Sequence, residues 1–353
     1  MPENGGITMD RAQVPKETVV RVVSTLPYNR LAASGVDFPP DWEVRYLGER
    51  EDAFGEEVIA AAGQDAQFLL LTPYPVVGAS LMEKLPALKM IQMVGVGYDN
   101  VDTEAAAQAG VVVANSPGIN ATTVAEFTIG IIILLLRRVL EGDQAVRQGR
   151  WKEVREAFLA EGLEELGESL VGLAGLGNIG QRVARLALAF GSRVVYYDVE
   201  RKTELERELG VSYLSLEELL STADIVSLHL PLLPQTRNLI GERELALMKP
   251  RAVLINTSRG GLVDEAALVR AIEEGRIAGA AIDTFTQEPL PPDHPLLSLA
   301  PELSYRLLLT PHLAGVTRQS FGRGVKKAIE NIARVARGEP PQYVVNGLDR
   351  PRR

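Results

Sequence analysis

The stretch Leu170-Val-Gly-Leu-Ala-Gly-Leu-Gly-Asn-Ile-Gly180, running into Gln181–Ala189, decides how this chain is read. Leu170–Ala174 is an apolar run of strand length, and Gln181–Ala189 spaces its apolar residues as a helix does. Between them Gly175, Gly177 and Gly180 make a Gly-x-Gly-x-x-Gly turn. Alone that string is weak, because turns use glycine freely; between a strand and a helix it has a mechanical meaning. Gly175 allows the tight turn, Gly177 lets the backbone approach a pyrophosphate, and Gly180 lets the helix pack on the strand. The helix N-terminus then offers unpaired N–H groups and a positive dipole end to the phosphates. The next strand pattern, Arg193–Tyr197, ends at Asp198, whose carboxylate would accept the adenosine ribose hydroxyls and repel a 2′-phosphate. NAD is therefore expected over NADP, although Arg201 and Lys202 follow closely.

Outward from this turn, strand patterns alternate with helical ones. After Leu170–Ala174 and Arg193–Tyr197 come Ile225–Leu228, Ala252–Asn256, Ala278–Ile282 and Leu307–Thr310, making the six strands of two mononucleotide-binding halves. Earlier lie Val19–Val23, Phe68–Thr72, Met90–Val94 and Val111–Ala114, with a helix pattern at Thr103–Gln108 and a long one from about residue 121 to Glu141. Arg323 to Arg337 reads as an amphipathic helix stopped by Gly338, Pro340 and Pro341. This alternation predicts an α/β fold with parallel sheets. The residues before the first strand are expected to be disordered.

Composition removes several classes of function. The chain has 353 residues, enough for two domains at roughly 100–200 residues each. It has no Cys, which excludes disulfides, thiolate zinc sites and thiol nucleophiles, and only 3 His, so no metal site is expected. With 37 basic against 46 acidic residues and a net charge of −9, it lacks the electrostatic footprint of a nucleic-acid binder. Met1 to Asp10 has neither the basic nor the apolar part of a signal peptide. The longest apolar run, Phe127 to Leu136, is shorter than the about 20 residues that a membrane helix needs. A cytoplasmic protein with no membrane or nucleic-acid partner is expected.

Three titratable groups follow strand ends in the second half. Arg259 lies in Asn256-Thr-Ser-Arg-Gly-Gly261, Glu288 follows Ala278–Asp283, and His312 lies in Thr310-Pro-His-Leu-Ala-Gly315. Open α/β sheets bind ligands at the carboxyl ends of their strands, so the three can converge. Arginine can hold a carboxylate with two parallel bonds, and histidine exchanges a proton near neutral pH. A carboxylate beside that histidine would raise its pKa. Hydride exchange with NAD plus proton exchange at oxygen is the redox of a hydroxyl and a ketone. Asp283 closes an apolar strand, where a carboxylate is costly without donors, and so reads as a cofactor contact. His229 and His294 come with no such Arg-and-carboxylate pattern.

In combination these segments resemble the D-isomer-specific 2-hydroxyacid dehydrogenase family over about residues 65 to 347. The glycine turn, Ser227-Leu-His-Leu-Pro231 with Thr236, Asn256–Asp264, Ala281–Phe285 with Glu288-Pro-Leu290, and Thr310–Gly315 stand in family order. Val94–Asp102 and Asn120–Glu126 also resemble family segments. The resemblance implies two Rossmann-like parallel-sheet domains separated by a cleft, with an NAD-binding domain at 121–316 inserted into a substrate domain made of 1–120 and 317–353. It implies that His312 is the acid/base, that Glu288 orients it, and that Arg259 clamps the substrate carboxylate and polarises the carbonyl. Asn178, Ile179 and Asp198 would hold phosphates and adenosine, and Asp283 the nicotinamide amide. Thr123, Pro231, Thr236, Thr257, Ser258 and Gly315 would line the cofactor site, and backbone N–H groups around Val96 and Gly97 would receive the substrate carboxylate.

The implied reaction joins NAD(H) to a small 2-oxo acid and its D-2-hydroxy acid, in a homodimer whose contact would be the apolar helix after Thr123. Phosphite-type oxyanion oxidation and NAD(H)-sensing co-regulation are the alternatives on the same fold. Glu288 argues against a formate dehydrogenase, which carries Gln as the histidine's partner.

Overall fold

The computed structural model describes residues 19–49 and 54–352; the expectation of disorder before the first strand lies outside them. The described chain divides into two units, one containing Asn120–Val316 and the other the segments before and after it.

The first unit is built on a five-stranded sheet of β1 (Arg21–Ser24), β2 (Glu43–Tyr46), β3 (Phe68–Leu71), β4 (Met90–Met93) and β5 (Val112–Ala114). Its order, β2-β1-β3-β4-β5, is all parallel. That is the flavodoxin-like doubly wound order. The pattern of β2 escapes the sequence because Glu43-Val-Arg-Tyr46 is a half-buried edge strand whose charged residues hide its apolar face. The helix Arg318–Ala336 packs Val325, Ala328, Ile329 and Ile332 into the core beside β1, β3 and β4. It starts earlier than the amphipathic pattern suggests because Thr317 caps it, accepting the Ser320 N–H at 3.1 Å. Inside that core Asn331 donates to Gln92 Oε1 at 2.7 Å and exchanges two bonds with the Gln342 backbone, tying the helix to β4 and to the C-terminal segment.

The second unit carries β6 (Leu170–Ala174), β7 (Arg193–Tyr197), β8 (Ser212–Tyr213), β9 (Ile225–Leu228), β10 (Val253–Asn256), β11 (Gly279–Ile282) and β12 (Leu307–Leu309). All pairs are parallel, in the order β12-β11-β10-β9-β6-β7-β8. Counted from β6 this is the Rossmann order 3-2-1-4-5-6 with one further strand beyond it. The strand beyond that order is β12; the one strand that the sequence pattern did not show is β8, third in the order and a two-residue edge strand too short to leave a pattern. Strands β9, β10 and β11 are buried throughout, as a sheet covered by helices on both faces requires.

The helix expected to run to Glu141 instead ends at Leu136, and a second helix, Val139–Arg147, begins after a break. At the break Arg138 has φ +46°, a left-handed conformation that no α-helix continues through. Its guanidinium is held by Glu141 and Glu161 and lies over the Phe158 ring. Helix Ala121–Leu136 buries Ile129, Ile131, Ile132, Leu135 and Leu136 against Val171, Leu173, Ile225 and Ile255 of its own sheet. Each such side chain contributes roughly 1.5–3 kcal/mol by leaving water. Its apolar character thus serves the core of its own unit. Among the described residues no helix is long and apolar enough to cross a membrane.

Candidate active site

Chemistry collects at the carboxyl ends of the second sheet, beginning where β6 and β9 lie side by side and the strand order reverses. Gly175 has φ +101°, and a Cβ there would fall 2.5 Å from the His229 carbonyl oxygen. A Cβ on Gly180 would stand 2.1 Å from the Gly175 oxygen, so helix Gly180–Ala189 closes on the turn only without one. Gly177 differs: nothing lies within 4 Å of its Cβ position. Open space above a backbone facing a helix N-terminus is what a phosphate needs. The turn therefore fits a dinucleotide, with Asn178 and Ile179 in it. Asp198, just after β7, accepts the Leu176 N–H at 2.9 Å and so braces the turn as well as standing where a ribose would be met.

Neighbouring strands β10, β11 and β12 each send one group from their carboxyl ends. Asn256, the last residue of β10, shapes the turn that carries Arg259: its amide donates to the Arg259 carbonyl at 2.8 Å and its oxygen accepts from the Ser258 N–H and hydroxyl. Beyond β11, Glu288 accepts the Phe285 N–H through Oε1 at 2.9 Å. Its Oε2 stands 2.7 Å from Nδ1 of His312, which follows β12. His312 has φ +51°, a costly conformation for histidine that surrounding bonds must hold.

Asp283 supplies them. Its Oδ1 accepts from the Thr310 hydroxyl at 2.6 Å and the Leu313 N–H at 2.9 Å, its Oδ2 from the Ala314 N–H at 2.9 Å, and its carbonyl from the His312 N–H at 2.8 Å. Asp283 is 1% exposed. The costly carboxylate is thus satisfied by the loop bearing His312, a role that sequence did not suggest.

The electrostatics follow from these contacts. Hydrogen bonding to Glu288 raises His312 above its ordinary value; burial opposes it, the charges of Glu288 and Asp283 add to it, and Arg259 subtracts from it. Burial pushes Glu288 up, yet bonds from His312 and the Phe285 N–H, with the charges of His312 and Arg259, leave it below the ordinary carboxylate range. With Nδ1 against Glu288, Nε2 is the nitrogen left to face a reacting oxygen. His229, under the glycine turn, is pushed down to about 4 by burial and stays neutral.

The structure therefore brings Arg259, Glu288, His312 and Asp283 together, and separately Gly175, Gly177, Gly180 and Asp198. Thr236 fastens the Pro231–Leu233 turn by donating to the Pro231 carbonyl at 2.7 Å. Thr257 bonds Thr128 at 3.1 Å, and Thr123 and Ser258 are buried. A Cβ on Gly315 would lie 2.7 Å from the Asn120 amide nitrogen. Val96 and Gly97 belong to the other unit, in the loop after β4, where the Val96 carbonyl accepts from the Asn115 amide at 2.7 Å. Asn256 and Thr310, which help build the loops bearing Arg259 and His312, show in the sequence only as letters of longer motifs. Among the described residues no cluster of His, Asp and Glu could hold a metal ion.

Two glycine substitutions separate the turn's two jobs. Gly177→Ala, with free space at Cβ, is expected to leave the melting temperature nearly unchanged while weakening NADH binding roughly tenfold, the worth of one charge-assisted hydrogen bond. Gly180→Ala is expected to lower the melting temperature itself. Calorimetry with NADH titration checks both, and equal melting temperatures for the two variants would contradict the assignment.

Comparison with known proteins gives the family. The family model for the NAD binding domain of D-isomer specific 2-hydroxyacid dehydrogenases matches residues 129–314. A glyoxylate reductase from Aeropyrum pernix is 44% identical over 285 residues, covering 80% of this chain and 83% of its own. The structure of Rhodotorula graminis D-mandelate dehydrogenase superimposes with a TM-score of 0.83 at 26% identity, covering 95% of this chain and all of its own. That of Aquifex aeolicus D-lactate dehydrogenase, complexed with NAD and lactic acid, gives 0.75 at 28% identity, covering 90% and 96%. This chain belongs to the D-isomer specific 2-hydroxyacid dehydrogenase family, as an NAD-dependent oxidoreductase linking 2-hydroxy acids and 2-oxo acids.

Proposed function

We propose that this chain reversibly reduces a small 2-oxo acid to its 2-hydroxy acid, the D isomer wherever C2 becomes a stereocentre, with glyoxylate, which gives achiral glycolate, first among the substrates, His312 as acid/base, Glu288 as its partner and Arg259 as the clamp on the substrate carboxylate. The observation that carries this is the 2.7 Å contact between Glu288 Oε2 and His312 Nδ1. Glyoxylate comes first because relatives 44%, 41% and 40% identical are glyoxylate reductases.

When bound, the reduced nicotinamide is the hydride source for C2 of the substrate. Protonated His312 delivers its Nε2 proton to the carbonyl oxygen, and neutral His312 takes it back in the reverse direction. Glu288 holds the charged imidazole and fixes which nitrogen faces the substrate. Arg259 neutralises the carboxylate and the charge that develops on the oxygen. Residues 121–316 hold the dinucleotide through Gly175, Gly177, Asn178, Ile179, Gly180 and Asp198, with Thr123, Pro231, Thr236, Thr257, Ser258, Asp283 and Gly315 around it.

NAD is favoured over NADP by two features of the adenosine end. Asp198 would repel a 2′-phosphate. The nearby cations are also engaged: Arg201 donates to both oxygens of Glu206 at 2.8 and 2.9 Å, and Lys202 lies 3.1 Å from Glu200. Glu206, bonded by Arg201 and then by Tyr196, is held down to about 2 and remains a carboxylate at neutral pH.

For assembly we propose a homodimer formed through the helices Val139–Arg147 and Trp151–Glu161, rather than through the buried helix before them. These expose Val139, Leu140, Val146, Trp151 and Leu159, an apolar patch of the sort that subunits cover. Leu159→Glu is expected to yield a monomer in analytical ultracentrifugation where the native chain is a dimer; an unchanged sedimentation coefficient would remove this face from the interface.

The chemistry is checked by following NADH absorbance with glyoxylate, hydroxypyruvate, 3-phosphohydroxypyruvate and pyruvate, then with NADPH, and with phosphite plus NAD. Turnover of a 2-oxo acid with NADH is expected; turnover of phosphite alone would overturn the assignment. His312→Ala should lower kcat by about 10²–10⁴ with little change in NADH affinity. Because reduction needs protonated His312 and its pKa is raised, kcat/KM for reduction should hold above pH 6.5 and fall only as pH rises through that raised value. Glu288→Gln should move this fall to lower pH, and oxidation should show the mirror image.

A further inference from the structure

His294 takes no part in the chemistry above, yet its side chain is 9% exposed and lies 3.2 Å, Nε2 to Oε2, from a carboxylate equally buried, that of Glu265. A buried polar contact of this kind adds little stability over an apolar pair, so its geometry is the informative part. Glu265 opens the helix Glu265–Glu273, just beyond the turn that carries Arg259. Its Oε1 accepts the Thr286 N–H at 2.9 Å. His294 Nδ1 accepts the Leu296 N–H at 3.3 Å, which places the imidazole proton on Nε2, toward Glu265. One carboxylate therefore grips the loop at Thr286 and again at His294, and Glu288 lies between those two points.

The peptide joining Phe285 to Thr286 is where these constraints meet. Its two residues give their N–H groups to Glu288 and to Glu265. Gly260, next to Arg259, packs so closely on it that a Cβ would fall 1.9 Å from the Phe285 carbonyl carbon. We propose that Glu265 and His294 are positioning residues: together they hold the Phe285–His294 loop so that Glu288 stays against His312 with the Arg259 turn alongside. The role rests on the reading of Glu288 and His312 given above. Both side chains are 9% exposed, so neither is offered as a substrate contact. Their effect passes through Glu288, because the charged groups acting on His312 are Glu288, Asp283 and Arg259.

The test is a double-mutant cycle on pH profiles of glyoxylate reduction, or of whichever 2-oxo acid turns over. Glu265→Ala is expected to lower kcat about tenfold with KM for NADH nearly unchanged, and to shift the alkaline fall of kcat/KM to lower pH. Glu265→Gln, which keeps an acceptor for the Thr286 N–H, should recover most of the loss. On a Glu288→Gln background, Glu265→Ala should cost less than about twofold, because the path it acts through is already cut. His294→Ala gives the same directions at smaller size and serves if Glu265→Ala does not fold. A tenfold loss in both backgrounds, or a loss of melting temperature with an unmoved pH profile, would overturn the positioning role alone. A profile that Glu288→Gln itself leaves unmoved would overturn the reading of Glu288 and His312, and this role with it.

Discussion

The contact between Glu288 and His312 is the interaction on which the proposed site depends, because it sets both the charge and the aim of the imidazole at the carboxyl end of β12. Holding the two side chains 2.7 Å apart takes two loops from neighbouring strands. The β12 loop is made rigid by Asp283, whose buried carboxylate collects three donors and keeps His312 in a left-handed backbone conformation. The β11 loop is held at its base by backbone packing on Gly260 and by bonds to Glu265. The cost of burying the carboxylates of Asp283 and Glu265 is offset by the donors they collect from the loops that bear His312 and Glu288.

The fold explains why these groups can meet at all. Parallel strands put every carboxyl end on the same side, so a group after each of β10, β11 and β12 needs only a short loop to reach its neighbours. The same side of β6, β7 and β9 carries the glycine turn, Asp198 and His229. Dinucleotide cradle and acid/base pair are thus parts of one sheet edge.

Much of this was legible in the sequence. Buried parallel strands show as apolar runs, so Leu170–Ala174 and Ile225–Leu228 stood out, whereas Glu43–Tyr46 and Ser212–Tyr213 did not, being edge strands that are half exposed or very short. The break at Arg138 was hidden because arginine propagates helices well and its left-handed turn is imposed by Glu141, Glu161 and Phe158. Arg259, Glu288 and His312 could be singled out as titratable residues after strand ends. The tasks of Asp283 and Glu265 could not: a carboxylate that accepts backbone N–H groups from a distant loop leaves no local trace.

The most direct test of the central contact uses the chain's 3 histidines, few enough to resolve by NMR after histidine labelling. His312 is expected to titrate with a midpoint above 6.5, Glu288→Gln to bring that midpoint down, and His229 to stay neutral until about pH 4 in both proteins. A His312 midpoint at or below 6.5 that Glu288→Gln does not move would contradict the role of that contact.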